Sequence, residues 1–196
     1  MLNSTRVVVT GLGALTPVGN DVTTSWQNLK AGNSGIARIT HFDPSILATQ
    51  IAGEVKGFEP RDHFDVKEAR RLERFTQFAV VAAREAIADA QLKIDEHNRE
   101  RIAVVIGSGV GGAMMLIDQA KVLETKGPRR VSPFLISMML VDTAAGQVAI
   151  EFGITGPNMA VVSACATGGN AIGEAAEMIK RGDVDAAICG GTEACL

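Results

Sequence analysis

The stretch VVSACATGGNAIGEAAEMIKRG, residues 161–182, joins two kinds of structure within a few residues. The apolar run from Met159 to Val162 is typical of a buried strand, and the small residues that follow predict a tightly packed helix over 166–181. A cysteine, Cys165, stands at the junction between them. A buried strand that turns directly into a covering helix is the repeating unit of α/β proteins, and this stretch therefore indicates that fold class.

The rest of the chain alternates in the same way, without a repeat, a linker or a low-complexity tract. Further strands are predicted at RVVVT (6–10), QIAGEV (50–55), RIAVVI (101–106), NMAVVSA (158–164) and DAAICGG (185–191). Helices are predicted after Asp21 as far as Gly32, over about 67–91 and 113–125, and from Ser132-Pro133 to about Phe152. Short apolar strands alternating with helices predict one α/β unit over 1–196, with a mostly parallel five-stranded sheet covered by helices.

Composition excludes several classes of function. The 196 residues are 46% hydrophobic and 21% charged with a net charge of −3, so no basic excess is present to hold nucleic acid. No apolar run approaches the roughly 20 residues of a membrane span, and no signal peptide is visible. Three cysteines without pattern predict free thiols in a reducing cytoplasm, and three scattered histidines show no metal-ligand spacing.

The loop GSGVGG (107–112) has the form G-x-G-x-x-G between a strand and a helix, which raises the possibility of a dinucleotide site. That site also needs an acidic residue at the end of the next strand, about 20 residues on. The corresponding region is LETKGPRRVSP, with neither a strand nor a suitably placed acid. We therefore interpret these glycines as positions of close backbone packing, with Gly109 and Val110 available as a wall of a substrate pocket.

Cys165 is the strongest candidate for chemistry. A thiol at a helix N-terminus meets unpaired N–H groups and the positive end of the helix dipole, which favour the thiolate and lower its pKa. The same N–H groups could hold the oxyanion of an acyl intermediate. The alternative is a small buried hydrophobic residue, an interpretation that suits Cys189 within its strand. A nucleophile also needs a base, and none of the three histidines lies in a segment that obviously reaches Cys165.

A basic cluster precedes the predicted helix over 67–91. Lys67, Arg70, Arg71 and Arg74 occupy its first turns, where cations oppose the helix dipole. A solvated helical face and a docking site for an acidic partner both remain open from the residues alone.

The segment Ser163 to Gly168, SACATG, resembles the β-ketoacyl-acyl-carrier-protein synthases of type II, the condensing enzymes of fatty-acid synthesis. The resemblance extends in order through RVVVTGLGALTPVGN, RIAVVIGSGVGG, GPRRVSPF, AAGQVAIEFGITGPN and GDVDAAICGGTEA. It implies a thiolase-like fold of two similar halves with αβαβα layering when complete, in members about twice this length. We therefore expect 1–196 to be the N-terminal half, cut after a strand, with the C-terminal half absent.

The resemblance also implies roles for individual residues. Cys165 would accept the acyl group as a thioester, and its backbone N–H would supply part of the oxyanion hole. Val110, Phe134 and Leu135 would line the acyl-chain pocket, the last two reaching across a homodimer. The docking site for the acidic acyl carrier protein would comprise Lys67, Arg70 and Arg71. No metal and no cofactor is expected.

The reaction implied by the resemblance is acyl transfer to Cys165, followed by decarboxylative condensation with malonyl-carrier protein. The family places two catalytic histidines and a lysine in the second half, so this chain alone is expected to be inactive. The pair Asp142-Thr143 departs from the Asn-Met usual in the family. Two alternatives stay open: a non-catalytic half-domain that dimerises or binds carrier protein, and a CoA-dependent thiolase-like acyltransferase.

Overall fold

A computed structural model describes residues 5–196 of the chain. Within these residues the helices are α1 (Val22–Lys30), α2 (Val66–Ala69), α3 (Arg74–Asp89), α4 (Ala113–Lys126), α5 (Leu135–Met139), α6 (Thr143–Phe152) and α7 (Thr167–Arg181). The strands are β1 (Ile36–Arg38), β2 (Ile51–Gly53), β3 (Ile102–Gly107), β4 (Asn158–Met159) and β5 (Ala186–Gly191). The predicted α/β class is confirmed, with α1 capped by Asp21 and with α4, α7, β3 and β5 close to their predicted bounds.

The central sheet has three parallel strands in the order β4–β3–β5. β3 and β5 pair over their whole length, from Ile102 opposite Ala186 to Gly107 opposite Gly191, whereas β4 pairs only at two positions. All six residues of β3 are buried. A parallel strand that is buried on both faces needs a helix layer on each side, and both layers are present.

The two faces of β3 separate its side chains into two clusters. Ile102, Val104 and Ile106 pack with residues of α3 and α6, whereas Ala103 and Val105 pack with residues of α7. Full burial of an aliphatic side chain stabilises a fold by about 1.5–3 kcal/mol, so β3 is the main contributor among the strands. The small residues of α7 bring that helix close to the sheet, as its composition predicts.

The central sheet is narrower than the five strands predicted. Strands β1 and β2 form a separate antiparallel pair rather than joining it. The predicted strand RVVVT (6–10) has no regular secondary structure and no strand partner among the described residues, and Val8 and Val9 are 61% and 74% exposed. A strand requires a hydrogen-bonded neighbour, which an apolar pattern alone does not guarantee.

The helix predicted over 67–91 is divided into α2 and α3. Leu72 is buried between them, and the Gln77 side chain donates to the carbonyl oxygens of Ala69 and Leu72. Glu73 then caps α3 by accepting from the Arg74 N–H. The Gln77 amide therefore takes the place of backbone bonds that a continuous helix would have made.

The helix predicted from Ser132 to Phe152 is likewise divided, into α5 and α6. The carbonyl oxygen of Met139 accepts the N–H of Gly112, at 3.1 Å, and Leu140 takes an extended conformation. The hydrogen bond from the glycine-rich loop after β3 therefore marks the end of α5 at Met139. Asp142 precedes α6 without a capping hydrogen bond, and nothing in the structure explains its presence.

Candidate active site

The segments that follow the three parallel strands meet at one edge of the sheet. The segment 160–166 follows β4, the loop 108–112 follows β3, and residues 192–193 follow β5. Because all three strands are parallel, their carboxyl ends lie together, and this is where open α/β sheets place their functional groups. Cys165 belongs to the first of these segments.

Cys165 is exposed and lies in a single 3₁₀ turn, Ala164–Ala166, directly before α7. The prediction of a buried strand running up to the thiol was wrong, because β4 ends at Met159 and Val162 is 53% exposed. The segment leaves the sheet early and approaches α7 as a loop. The position of the thiol at a helix start is nevertheless as predicted.

The turn that presents Cys165 is held by local hydrogen bonds. The Ser163 N–H donates to the Thr167 Oγ1 at 2.9 Å, and the Asn170 side chain donates to the Ser163 Oγ at 2.8 Å. Ala164 has φ +51, in the left-handed region that costs a residue with a Cβ about 1–2 kcal/mol. Such a conformation persists only where the surroundings enforce it, and it is a frequent feature of functional turns.

Backbone donors are available beside the thiol. The N-terminus of α7 has no side-chain cap, and no hydrogen bond from the Cys165 N–H is found among residues 5–196. Unpaired N–H groups at a helix start can bind a developing oxyanion. The arrangement can therefore support attack by a thiol on a carbonyl group.

Glycines let the backbone segments of this edge approach one another. A Cβ built on Gly107 would clash with the Val161 carbonyl oxygen and with Thr167, and a Cβ on Gly191 would lie 3.0 Å from the Cα of Gly168. The contacts of Gly107 agree with the interpretation of the GSGVGG glycines as positions of close backbone packing. Gly168 at the start of α7 meets the end of β5 in the same way.

Glu193, which the sequence analysis did not single out, binds the loop after β3. Its carboxylate accepts from the Ser108 hydroxyl at 3.0 Å, the Gly109 N–H at 2.8 Å and the Val110 N–H at 3.3 Å. The signal that could have found it is its place just after a predicted strand. A carboxyl group there must lie at the same edge as the loop after the neighbouring parallel strand.

The three residues predicted to line an acyl pocket lie on two connected elements. Val110 is 51% exposed in the loop 108–112, whereas Phe134 and Leu135 begin α5. The other end of α5 touches that loop, where Gly112 donates to Met139. The loop that carries Val110 therefore contacts the C-terminal end of α5, whereas Phe134 and Leu135 lie at the N-terminal end of that helix.

The basic cluster divides into two parts. Lys67, Arg70 and Arg71 are exposed, whereas the Arg74 guanidinium lies 5.3 Å from the Phe58 ring and 4.9 Å from the Phe78 ring. Burial lowers the pKa of Arg74 from its ordinary value, against the opposing charge of Glu59.

The prediction that these cations oppose a helix dipole was wrong for Arg70 and Arg71, whereas Lys67 does lie in the first turn of α2. The helix in question ends at Ala69, so Arg70 and Arg71 follow a helix C-terminus, where positive charge is favourable. The dipole of α2 therefore does not disfavour Arg70 and Arg71. It gives no reason to infer that an acidic partner compensates for their charge.

Among residues 5–196, no hydrogen bond joins Cys165 to another cysteine or to a histidine. Burial raises the pKa of the Cys189 thiol, in agreement with its interpretation as a core residue. His63 stacks on Phe58 with ring centres 5.0 Å apart, and His41 lines a groove with Arg74.

In the described part of the chain, no group of His, Cys, Asp and Glu residues is placed to hold a metal ion. None of the helices in residues 5–196 combines the length and apolar character that a membrane crossing requires.

Comparison with known proteins identifies the family of the chain. Residues 4–196 match the sequence profile of the β-ketoacyl synthase N-terminal domain. The chain is 55% identical over 194 residues to "3-oxoacyl-[acyl-carrier-protein] synthase 2" of Staphylococcus aureus (strain COL), an alignment that covers 99% of this chain and 47% of that protein. The chain thus spans about half the length of the curated relatives it matches.

Solved structures of ketosynthases have the same thiolase-like fold. The ishigamide ketosynthase/chain length factor superposes with a TM-score of 0.82 at 30% identity, over 95% of this chain and 47% of that one. A type II polyketide ketosynthase, solved in complex with its acyl-carrier protein, superposes with a TM-score of 0.79 at 23% identity, over 95% of this chain and 50% of that one. On the evidence of the profile match and the shared fold, the chain belongs to the β-ketoacyl synthase N-terminal domain family.

Proposed function

We propose that residues 1–196 are the N-terminal half of a 3-oxoacyl-[acyl-carrier-protein] synthase, an acyltransferase of fatty-acid biosynthesis. The observation that carries this proposal is the position of the Cys165 thiol, exposed at the uncapped start of α7 beside a free backbone N–H. The names and the 55% identity of the relatives from Staphylococcus aureus support it.

In the first step the Cys165 sulfur attacks the carbonyl carbon of an acyl thioester. A C–S bond forms, and the carbonyl oxygen becomes an oxyanion that the Cys165 N–H and the start of α7 are placed to bind. The oxyanion then collapses, the carrier's thiolate leaves, and it takes up the proton that the cysteine gave up. Cys165 now holds the acyl group as a thioester.

In the second step malonyl-carrier protein loses CO₂, and its carbon attacks the Cys165 thioester to release the thiolate. The three histidines of residues 5–196 contact other residues: His41 lines a groove with Arg74, His63 stacks on Phe58, and His97 donates its N–H to Asp95. In this proposal the groups required come from a second half of a thiolase-like fold. The chain alone would therefore stop at the acyl-cysteine.

The substrate and the partner follow from the same proposal. Val110, Phe134 and Leu135 line the acyl-chain pocket, with the segment at Phe134 reaching across a homodimer. An acidic acyl carrier protein docks on Lys67, Arg70 and Arg71, which are exposed and close together in sequence. Three free cysteines suit a reducing cytoplasm.

Mass spectrometry of intact protein and peptides, after mixing with an acyl-carrier-protein thioester, tests the first step. We expect one acyl group at Cys165, with Cys189 and Cys195 unlabelled as internal controls. The Cys165→Ser variant should lose the label. Equal labelling of all three cysteines, or none, would contradict the proposal, and preferential labelling by acyl-CoA would favour a CoA-dependent acyltransferase.

A further inference from the structure

Glu193 makes a three-point contact with the loop that carries Val110. Its carboxylate accepts from the Ser108 hydroxyl and from the N–H groups of Gly109 and Val110, at 2.8 to 3.3 Å. We propose that Glu193 is a positioning residue, which holds this loop against the turn of Cys165 and so sets the acyl-chain pocket. The proposal rests on the proposed function of Cys165 as acyl acceptor.

The loop touches the nucleophile's turn at Gly109. A Cβ built on Gly109 would lie 3.0 Å from the Glu193 Oε2 and 3.4 Å from the Cα of Ala164. Gly109 therefore fills the space between the carboxylate and Ala164, whose left-handed conformation directly precedes Cys165. A strained backbone of this kind is maintained by its neighbours, and the clamped loop is one of them.

The chemistry of the contact favours a carboxylate, whose two oxygens both accept. All three groups that face the carboxylate are donors, and the Ser108 hydroxyl in turn accepts the Gly111 N–H at 2.8 Å. A carboxylate satisfies such donors, and bonds to it are about twice as strong as those between neutral groups. An amide in its place could keep its oxygen on the two backbone N–H groups, but its NH₂ group would then face the Ser108 hydroxyl, which would lose its acceptor.

The contact also orients Val110. Its N–H bonds to Glu193 at 3.3 Å, while its side chain is 51% exposed at the edge where the acyl chain would enter. Release of this N–H lets the pocket wall move, so that long and short acyl chains are distinguished less well. Glu193 thus acts on the reaction through the loop rather than by touching the reacting atoms.

The test compares Glu193→Gln with the original residue in the full-length protein. Amide hydrogen exchange at Gly109 and Val110 should rise about tenfold, since a charge-assisted bond is lost. Acylation of Cys165 should slow by about tenfold, and the ratio of rates for long and short acyl thioesters should move toward one. The melting temperature should change little. Glu177→Gln, which removes an exposed carboxylate paired with Lys180, is the matched control and should change none of these.

Two further variants separate positioning from a general loss of structure. Glu193→Asp keeps a carboxylate with shorter reach, so its exchange and acylation rates should lie between those of the original and of Glu193→Gln. Ser108→Ala removes one donor of the clamp, and combining it with Glu193→Gln should add little to the effect of the single change, because both break one unit.

The outcomes distinguish this proposal from the one on which it rests. If the original protein acylates Cys165 and Glu193→Gln leaves exchange, acylation rate and chain-length ratio unchanged, the positioning role is wrong while the proposed function stands. If the original protein does not acylate Cys165, both are overturned. Faster exchange together with altered chain-length selection in Glu193→Gln supports the positioning role.

Discussion

The guanidinium carbon of Arg71 lies 5.1 Å from the centre of the Phe134 ring. Arg71 belongs to the turn between α2 and α3, whereas Phe134 directly precedes α5. An exposed cation–π contact of this kind is worth about 0.5–1 kcal/mol. It joins a residue of the proposed docking surface to a residue of the proposed acyl pocket, although the two lie on different elements.

We expect Arg71→Gln to raise the KM for an acyl-carrier-protein substrate by about threefold to tenfold, with little change in kcat. A charge at the rim of an interface mainly affects encounter with an oppositely charged partner. Steady-state kinetics of the full-length enzyme at low and at moderate salt would measure this, since screening by salt should reduce the difference. Arg181→Gln, which removes an arginine paired with Glu174 and Asp183, is the control. An equal rise in KM for both variants would contradict a docking role specific to Arg71.

The elements that sequence patterns predicted well are those whose signal is local. The continuous apolar run of β3 and the small-residue helix α7 lie close to their expected bounds. The two divided helices were missed because hydrogen bonds outside the helical pattern end them: the Gln77 side chain binds the end of α2, and the Gly112 N–H binds the end of α5. The helical periodicity of apolar residues continues through such breaks, so the pattern does not indicate where they occur.

For the candidate site, the motif around Cys165 was visible in the sequence, but the contacts and the backbone conformation that hold it in place were not. Glu193 and Ser108 are 85 positions apart, and only the pairing of β5 beside β3 brings them into contact. Similarly, the left-handed conformation of Ala164 has no local signal, because alanine rarely adopts it. Both features depend on which strands are neighbours, which local patterns do not determine.

Gly107 should be intolerant of any side chain. Gly107→Ala would drive a Cβ into the Val161 carbonyl oxygen and Thr167, and we expect it to lower the free energy of unfolding by about 2–4 kcal/mol. Urea unfolding followed by circular dichroism would measure the change. Gly146→Ala is the control within α6, where no atom of residues 5–196 beyond the neighbouring helix backbone lies within 4 Å of the new Cβ, and it should stabilise by about 0.5–1 kcal/mol. Similar free energies for the two variants would refute the close packing at Gly107.

Glu54 should make the protein sensitive to acid. Hydrogen bonds from the backbone N–H and hydroxyl of Thr40 hold the pKa of the Glu54 carboxyl below its ordinary value of 4.5. Because the folded pKa is the lower one, its stabilisation is fully present above the ordinary value and is lost as pH falls through the folded pKa. The urea midpoints of the original protein and Glu54→Gln should therefore differ most near neutral pH and converge as the pH falls below 4.5 and through the folded pKa.

The control for that comparison is Glu96→Gln, which changes an exposed carboxyl in the connection between α3 and β3. Its midpoint should follow that of the original protein at every pH. A gap between the original protein and Glu54→Gln that is constant from neutral to acid pH would show that the ionised carboxylate contributes no pH-dependent stability.

Ala164 and Gln91 both have φ +51, but only Ala164 is adjacent to Cys165. Comparing variants of the two residues tests whether the strained backbone at Ala164 contributes to the reaction. Gln91 follows the C-terminal cap of α3, where glycine is the favoured residue. We expect Ala164→Gly and Gln91→Gly each to raise the free energy of unfolding by about 1 kcal/mol, since glycine adopts this conformation without a Cβ clash.

Only Ala164→Gly should also slow acylation of Cys165, by about tenfold, because the turn then samples more orientations. Urea unfolding and the rate of thioester formation, measured on both variants, check the two expectations. Unchanged acylation in Ala164→Gly would mean that the left-handed turn presents Cys165 without constraining it.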